Sequence, residues 1–231
     1  MPELTRSEQS LFSDLPPQLL TDLFGMAQLV RLPAGQMLFL AGDAGDGFYL
    51  IENGLLKVTA ISPAGAERIL AILGPGAMVG EMSVLDGAPR SSSVCALRDS
   101  MLRFISQSGF QAFAQQHPDI YRHVVTILTA RLRDTNLAVV AETFLSLKGR
   151  VARTLLRLAE AFGHDVGGGR IVIRQKVSQG DIAAMAGVAR ENVSRILNHW
   201  KRDRVVSRVA SYYCIENCSA LEREAEGEGI G

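Results

Sequence analysis

Residues 79–94, Val-Gly-Glu-Met-Ser-Val-Leu-Asp-Gly-Ala-Pro-Arg-Ser-Ser-Ser-Val, gather a glutamate behind a glycine, one arginine and several small residues into a short stretch. A glycine ahead of a short helical turn leaves backbone N–H groups open to an anion, so Gly80, Glu81, Met82 and Ser83 can cradle phosphate oxygens without a long cationic side chain. Arg90 adds a guanidinium, whose fork matches phosphate bidentately and stays charged when buried, and Ser91 and Ser92 place hydroxyls beside it. Glu81 suits another task, because a carboxylate accepts hydrogen bonds from sugar hydroxyls. Together these residues suit an anionic sugar ring, and a cyclic phosphate on a ribose fits them. The competing reading is a surface ion pair between Glu81 and Arg90 beside a β-turn.

A second cluster lies at 177–205. Ser178-x-x-Asp181 has the form of a capping box for one short helix, Gly187 marks a turn, and a second helix follows from Arg190. Ala189 brings no capping oxygen to that second start. At about 100° per residue, Arg190, Glu191, Ser194 and Arg195 fall in one arc, whereas Val193, Ile196, Leu197 and Trp200 share the opposite one. Two arginines and a glutamate in one arc are the donors and acceptor that read guanine and cytosine edges in a major groove. Solvated surface charge is the bland alternative. Against it stands the charge distribution: residues 148–213 hold 13 Lys and Arg against 5 Asp and Glu inside a chain of zero net charge, which points to a polyanionic partner. Ser178 and Gln179, at the start of the first helix, join the candidate DNA-contacting set.

Other elements must position these clusters. Residues 16–27 read as a short amphipathic helix. From 30 to 104, short apolar runs at 36–40, 47–51, 55–61 and 68–73 alternate with turn sequences at 33–35, 42–47, 52–54, 63–65 and 74–76. Such spacing predicts an antiparallel roll or barrel whose cavity holds the ligand. His117-Pro118-Asp119 opens a long helix, on which Tyr121, Val125, Leu128, Leu132, Thr135, Val139 and Glu142 recur in alternating steps of about four and three, the seam of a two-stranded coiled coil. A helix packed on its own domain is the other reading. Residues 147–161 read as a helix, 164–169 as a glycine-rich loop, 208–216 as a wing, and the acidic, glycine-rich stretch from 222 as a disordered tail.

Composition narrows the function classes. The opening Met-Pro-Glu-Leu-Thr-Arg lacks the apolar core of a secretion signal, and no run of about 18 apolar residues is present, so a cytoplasmic location without membrane contact is expected. Cys95, Cys214 and Cys218 are too few and dispersed for a disulfide framework, and no metal site is expected. His117, His123, His164 and His199 are scattered without ligand spacing, so neither a catalytic site nor enzymatic activity is expected.

The stretch 80–93 resembles the phosphate-binding cassette of cyclic-nucleotide-binding domains, and Ala-Arg-Glu-Asn-Val-Ser-Arg-Ile-Leu at 189–197 resembles a recognition helix of the CRP-FNR family of bacterial transcription regulators. The resemblance runs from about Leu11 to Glu216 and is nearest the cyclic-AMP-receptor branch. It implies an α+β protein: an antiparallel β-roll at 1–117, a dimerisation helix at 118–146, a winged helix-turn-helix at 147–221 and a tail at 222–231. It implies that Glu81 holds the ribose 2′-hydroxyl and that Arg90 with the serines after it holds the cyclic phosphate. Thr135 and Asn136 fall where that branch contacts the base, one residue from each subunit. An Asn amide can accept from adenine or donate to guanine, so cyclic AMP and cyclic GMP both fit. A homodimer, GTGA-type DNA half-sites and RNA polymerase as a partner follow from the resemblance. A family member that binds DNA constitutively is the rival expectation.

Overall fold

The computed structural model describes Asp22, Leu23 and residues 25–226, without the side chains of Ala141 and Glu142. Most of the helix expected at 16–27 therefore lies outside the described residues. The described chain divides into two compact units that part between Arg133 and Asp134.

The first unit is built on one antiparallel sheet. Strands β1 (Gln28–Leu32), β2 (Met37–Phe39), β3 (Gly47–Ile61), β4 (Glu67–Leu73), β5 (Met78–Val79) and β6 (Ser93–Ser106) pair in the order β1-β6-β3-β4, with β2 on β6 and β5 on β3. The turn expected at 52–54 is absent. Glu-Asn-Gly reads as a hairpin signal, yet β3 runs straight through it with register shifts from Ile51 to Leu56 against β6. Gly54, at φ 105°, lies so close to Ser100 that a Cβ would meet its Cα at 2.5 Å, and the Ser100 hydroxyl accepts the Leu55 N–H at 3.1 Å. The glycine thus makes a bulge, and bulges change which face the following residues occupy. Ile51 before it, and Leu56 and Val58 after it, accordingly share one core cluster with Leu102 and Val94.

A second cluster joins the sheet to helices. α1 (Glu81–Asp86), α2 (Gln107–Gln116) and the long α3 (Ile120–Phe144) follow β5 and β6. Ile120, Val124 and Ile127 of α3 are buried with Phe48, Met78, Val84 and Phe110. The seam residues Tyr121, Val125, Leu132 and Val139 are exposed instead, and Leu128 packs at the edge of the core. Glu142, the last seam position, falls on a side chain outside the described residues.

The second unit contains α4 (Leu147–Phe162), β7 (Gly163–Asp165), β8 (Ile171–Ile173), α5 (Gln179–Ala186), α6 (Arg190–Arg202), β9 (Val206–Val209), β10 (Tyr212–Ile215) and α7 (Cys218–Glu226). Its antiparallel sheet has the order β7-β8-β10-β9. Two expectations need correction. The loop at 164–169 begins as strand β7, because 163–165 pair with 171–173 and the three glycines only close the hairpin. The tail expected to be disordered from 222 is helical as far as Glu226. Asn217 Oδ1 accepts the Ala220 N–H at 3.0 Å, Leu221 is fully buried, and Lys148 pairs with Glu224. Gly149 permits the approach of α7 to α4, since a Cβ there would lie 2.7 Å from the Glu224 carbonyl oxygen.

The capping box forms as its spacing predicts: Ser178 Oγ accepts the Asp181 N–H at 3.0 Å, and Asp181 Oδ2 accepts the Ser178 N–H at 2.9 Å. Ser178→Ala removes one of these bonds and should cost about 1 kcal/mol. A thermal melt of this unit should show a drop of about 4–8 °C. An unchanged melting temperature would mean that the cap contributes nothing to helix α5.

Candidate nucleotide pocket and nucleic-acid interface

Gly80 stands at the N-cap of α1 with φ 85°, and no side chain caps that end. Glycine is required there twice over, because a Cβ would also lie 2.5 Å from Arg90 Nη1. The close approach is a hydrogen bond: Arg90 Nη1 donates to the Gly80 carbonyl at 2.6 Å, while Nη2 donates to Asp46 Oδ1 at 2.9 Å. Arg90 is only 4% exposed, and its Nε is buried without a partner. A buried donor left unpaired is costly, so this atom marks where an incoming acceptor would be stabilised. A buried guanidinium beside a helix start that no side chain caps suits a phosphate.

Glu81 is 3% exposed. Its Oε1 accepts from Nη1 of Arg131, on α3, and Arg131 Nη2 donates to the Met78 carbonyl. Glu81 and Arg90 therefore do not pair with each other, contrary to the surface-pair reading: both are buried, and each has its own partner. Ser83 is buried against Gly45, where a Cβ would come within 2.2 Å of the serine Cβ. Met82 and Ser91 are exposed and touch through Ser91 Oγ and Met82 Sδ at 3.5 Å, and Ser92 is half-buried. Structure thus brings together Gly80, Glu81, Met82, Ser83, Arg90 and Ser91. Thr135 and Asn136 are exposed on α3, one turn beyond Arg131. Sequence reasoning missed Arg131 and Asp46. Arg131 had a signal, since it precedes Thr135 by one helical turn and so shares its face.

In the second unit, Arg190, Glu191 and Arg195 are exposed on α6, Ser194 is half-buried, and Val193, Leu197 and Trp200 are buried. Ile196, expected in the core, is only half-buried, at the margin between the two faces. Arg195 Nη2 donates to Asn192 Oδ1 on its own helix, and Arg195, Asn198, Lys201 and Arg202 line a shallow basic concavity. Ala189 gives α6 no side-chain cap. Ser178 is exposed with its hydroxyl engaged by Asp181, and Gln179 is half-buried at the first position of α5. Arg150 Nη1 donates to the carbonyl of Gly187, the left-handed residue that turns α5 toward α6. The two helices are followed by the β9–β10 hairpin, so the basic face stands within a winged helix-turn-helix.

The thiols have no comparable setting. Burial first and the Glu216 charge second push the Cys214 thiol up, and burial does the same for Cys218, the reverse of an activated thiolate. Among the described residues no group of three His, Cys, Asp or Glu is placed to hold a metal ion, and no helix is long and apolar enough to cross a membrane.

Comparison with known proteins bears on both sites. Residues 29–117 match the cyclic nucleotide-binding domain family and residues 149–224 the Crp-like helix-turn-helix domain family. A CRP-like cAMP-activated global transcriptional regulator of Mycobacterium tuberculosis is 32% identical over 81% of this chain and 83% of its own length. The cyclic AMP receptor protein of Thermus thermophilus is 31% identical over 94% of this chain and 97% of its own. Among solved structures, the c-di-GMP responsive regulator CLP of Xanthomonas campestris shares the fold with a TM-score of 0.76 at 24% identity, covering 87% of this chain and 99% of that one. A buried arginine and glutamate in a cyclic nucleotide-binding domain, followed by a basic helix-turn-helix, complete the assignment: the chain belongs to the CRP-FNR family of transcription regulators.

Proposed function

We propose that this protein is a homodimeric regulator that binds a cyclic nucleotide between Glu81 and Arg90 and, when loaded, binds two-fold symmetric DNA through α6. The observation that carries the reading is Arg90, a guanidinium 4% exposed whose Nε has no partner. A cyclic phosphate supplies that acceptor, and Glu81 accepts from the ribose 2′-hydroxyl. Cyclic AMP is the first candidate, because Mycobacterium and Thermus relatives carry it in their names. Thr135 and Asn136 contribute the base contacts, with Asn136 leaving room for cyclic GMP.

Dimerisation is supported by the exposed apolar seam of α3, which a second copy would bury. Two copies of α6 about 34 Å apart would meet half-sites one helical turn apart. Arg190, Glu191 and Arg195 read a GTGA-type half-site, with Ser178, Gln179 and Ser194 contacting DNA beside them, and RNA polymerase is the partner through which transcription responds. Ligand acts by population: if the competent dimer is about 1% populated alone, a differential affinity of about 5.5 kcal/mol raises it to about 99%.

A second reading has its own observation. Arg131 already pairs with Glu81 and Asp46 with Arg90, so the pocket charges are balanced within the chain, as a ligand-independent regulator requires. Gel shifts on a palindrome of the form GTGA-N6-TCAC, with and without cyclic AMP or cyclic GMP, separate the two. Tight specific binding only with nucleotide is expected, and equal binding in all lanes would establish the constitutive reading.

A further inference from the structure

The Arg90 guanidinium is held by more than its two hydrogen bonds. Its Cζ lies 4.4 Å from the centroid of the Phe39 ring. Phe39 is half-buried at the end of β2, opposite Val94 in register, and its ring leans on Tyr49 at 6.2 Å. The segment that follows Phe39 is stitched to the cassette through Arg90 itself: the Gly42 N–H donates to the Arg90 carbonyl and the Arg90 N–H donates to the Asp43 carbonyl, both at 2.8 Å. Ala41 adds a bond to Ser93 Oγ at 3.0 Å. Residues 39–46 therefore hold the backbone of Arg90 and, together with the Gly80 carbonyl, its side chain.

A cation over an aromatic face is attracted by the ring quadrupole, and more strongly when desolvated. Stacking also leaves the donors of a planar guanidinium free to point outward in its own plane. Arg90 has both conditions, with 2% of its side chain exposed, whereas the side chain of its counter-ion Asp46 is 72% exposed. An anion entering the pocket can replace Asp46, which returns to water at little cost. The ring contact needs no exchange.

We infer that Phe39 is a positioning residue for ligand capture: its ring holds the Arg90 guanidinium in place while the phosphate of a nucleotide displaces Asp46. The inference rests on the reading of residues 80–92 as the nucleotide site. It assigns Phe39 no contact with the ligand; the aromatic face acts through the arginine, so aliphatic side chains of similar bulk cannot replace it.

Calorimetric titration of the full chain with cyclic AMP and cyclic GMP tests this. Phe39→Leu should weaken binding by about 3- to 30-fold, and Phe39→Tyr, which restores the π face, should stay within about twofold of the unaltered chain. Phe39→Met, which keeps an apolar side chain of useful length, carries the same expectation should the leucine variant melt early. In an Arg90→Leu background, Phe39→Leu should add no further loss. Leucine, methionine and tyrosine variants that all bind like the unaltered chain, or all weaken alike, overturn the positioning role. An Arg90→Leu variant that binds normally, or an unaltered chain that binds neither nucleotide, overturns the site reading instead.

Discussion

Arg90→Leu should abolish high-affinity nucleotide binding and leave the sheet folded. Phosphate loses its fixed counter-charge, and truncating one partner of a desolvated, hydrogen-bonded charge pair costs about 2–5 kcal/mol, a loss of roughly 30- to 5,000-fold in affinity. Folding should survive, because leucine can rest on the Phe39 ring and the released Asp46 carboxylate is already largely in water. Arg90→Lys should also bind poorly, since an ammonium cannot hold the Gly80 carbonyl and at the same time present a planar pair of donors to the phosphate that takes the place of Asp46. Titration with cyclic AMP beside a thermal melt decides the matter. Unchanged affinity would end the assignment of residues 80–92 to the phosphate.

Trp200→Ala should separate the two activities. Trp200 is 1% exposed and, with Val193 and Leu197, forms the buried side of α6. Deleting such a side chain costs about 3–5 kcal/mol, which is much of what holds a small unit folded. Specific DNA binding should fall below detection near the growth temperature, while nucleotide affinity persists, because Arg90, Asp46, Glu81 and Arg131 belong to the other unit and Thr135 and Asn136 are exposed on α3 rather than part of the core that Trp200 fills. Arg195→Ala provides the contrast: about 1–3 kcal/mol lost on the matched site, with the melt unchanged. Full DNA affinity in Trp200→Ala would show that α6 is anchored by something other than its core face.

Those expectations rest on features of unequal visibility in the sequence. Capping at Ser178 and Asp181 was legible because it is local chemistry at fixed spacing, and the two faces of α6 because helical periodicity separates them. Strand β3 was not: Glu52-Asn53-Gly54 carries a turn composition, and only the distant Ser100 decides that the glycine makes a bulge. Helix α7 was hidden for the same reason. Its acidic composition argues for disorder, and its order depends on Leu221 finding a buried place and on Gly149, far earlier in the chain, making room. At the candidate pocket, residue types pointed to Glu81 and Arg90 and helical spacing from Thr135 to Arg131, but Asp46 and Phe39 reach Arg90 from separate elements that no spacing rule connects.

Helix α7 also alters what kind of object the second unit is. Lys148 and Gly149, in the first turn of α4, meet Glu224 in α7, so the first and last helices of the winged helix-turn-helix lie side by side. Chains whose ends meet can be cut elsewhere and rejoined, or spliced into a host loop, with little disturbance to the interior. The DNA-binding half is in that sense portable, a cassette that recombination or an engineer could graft behind a different sensor.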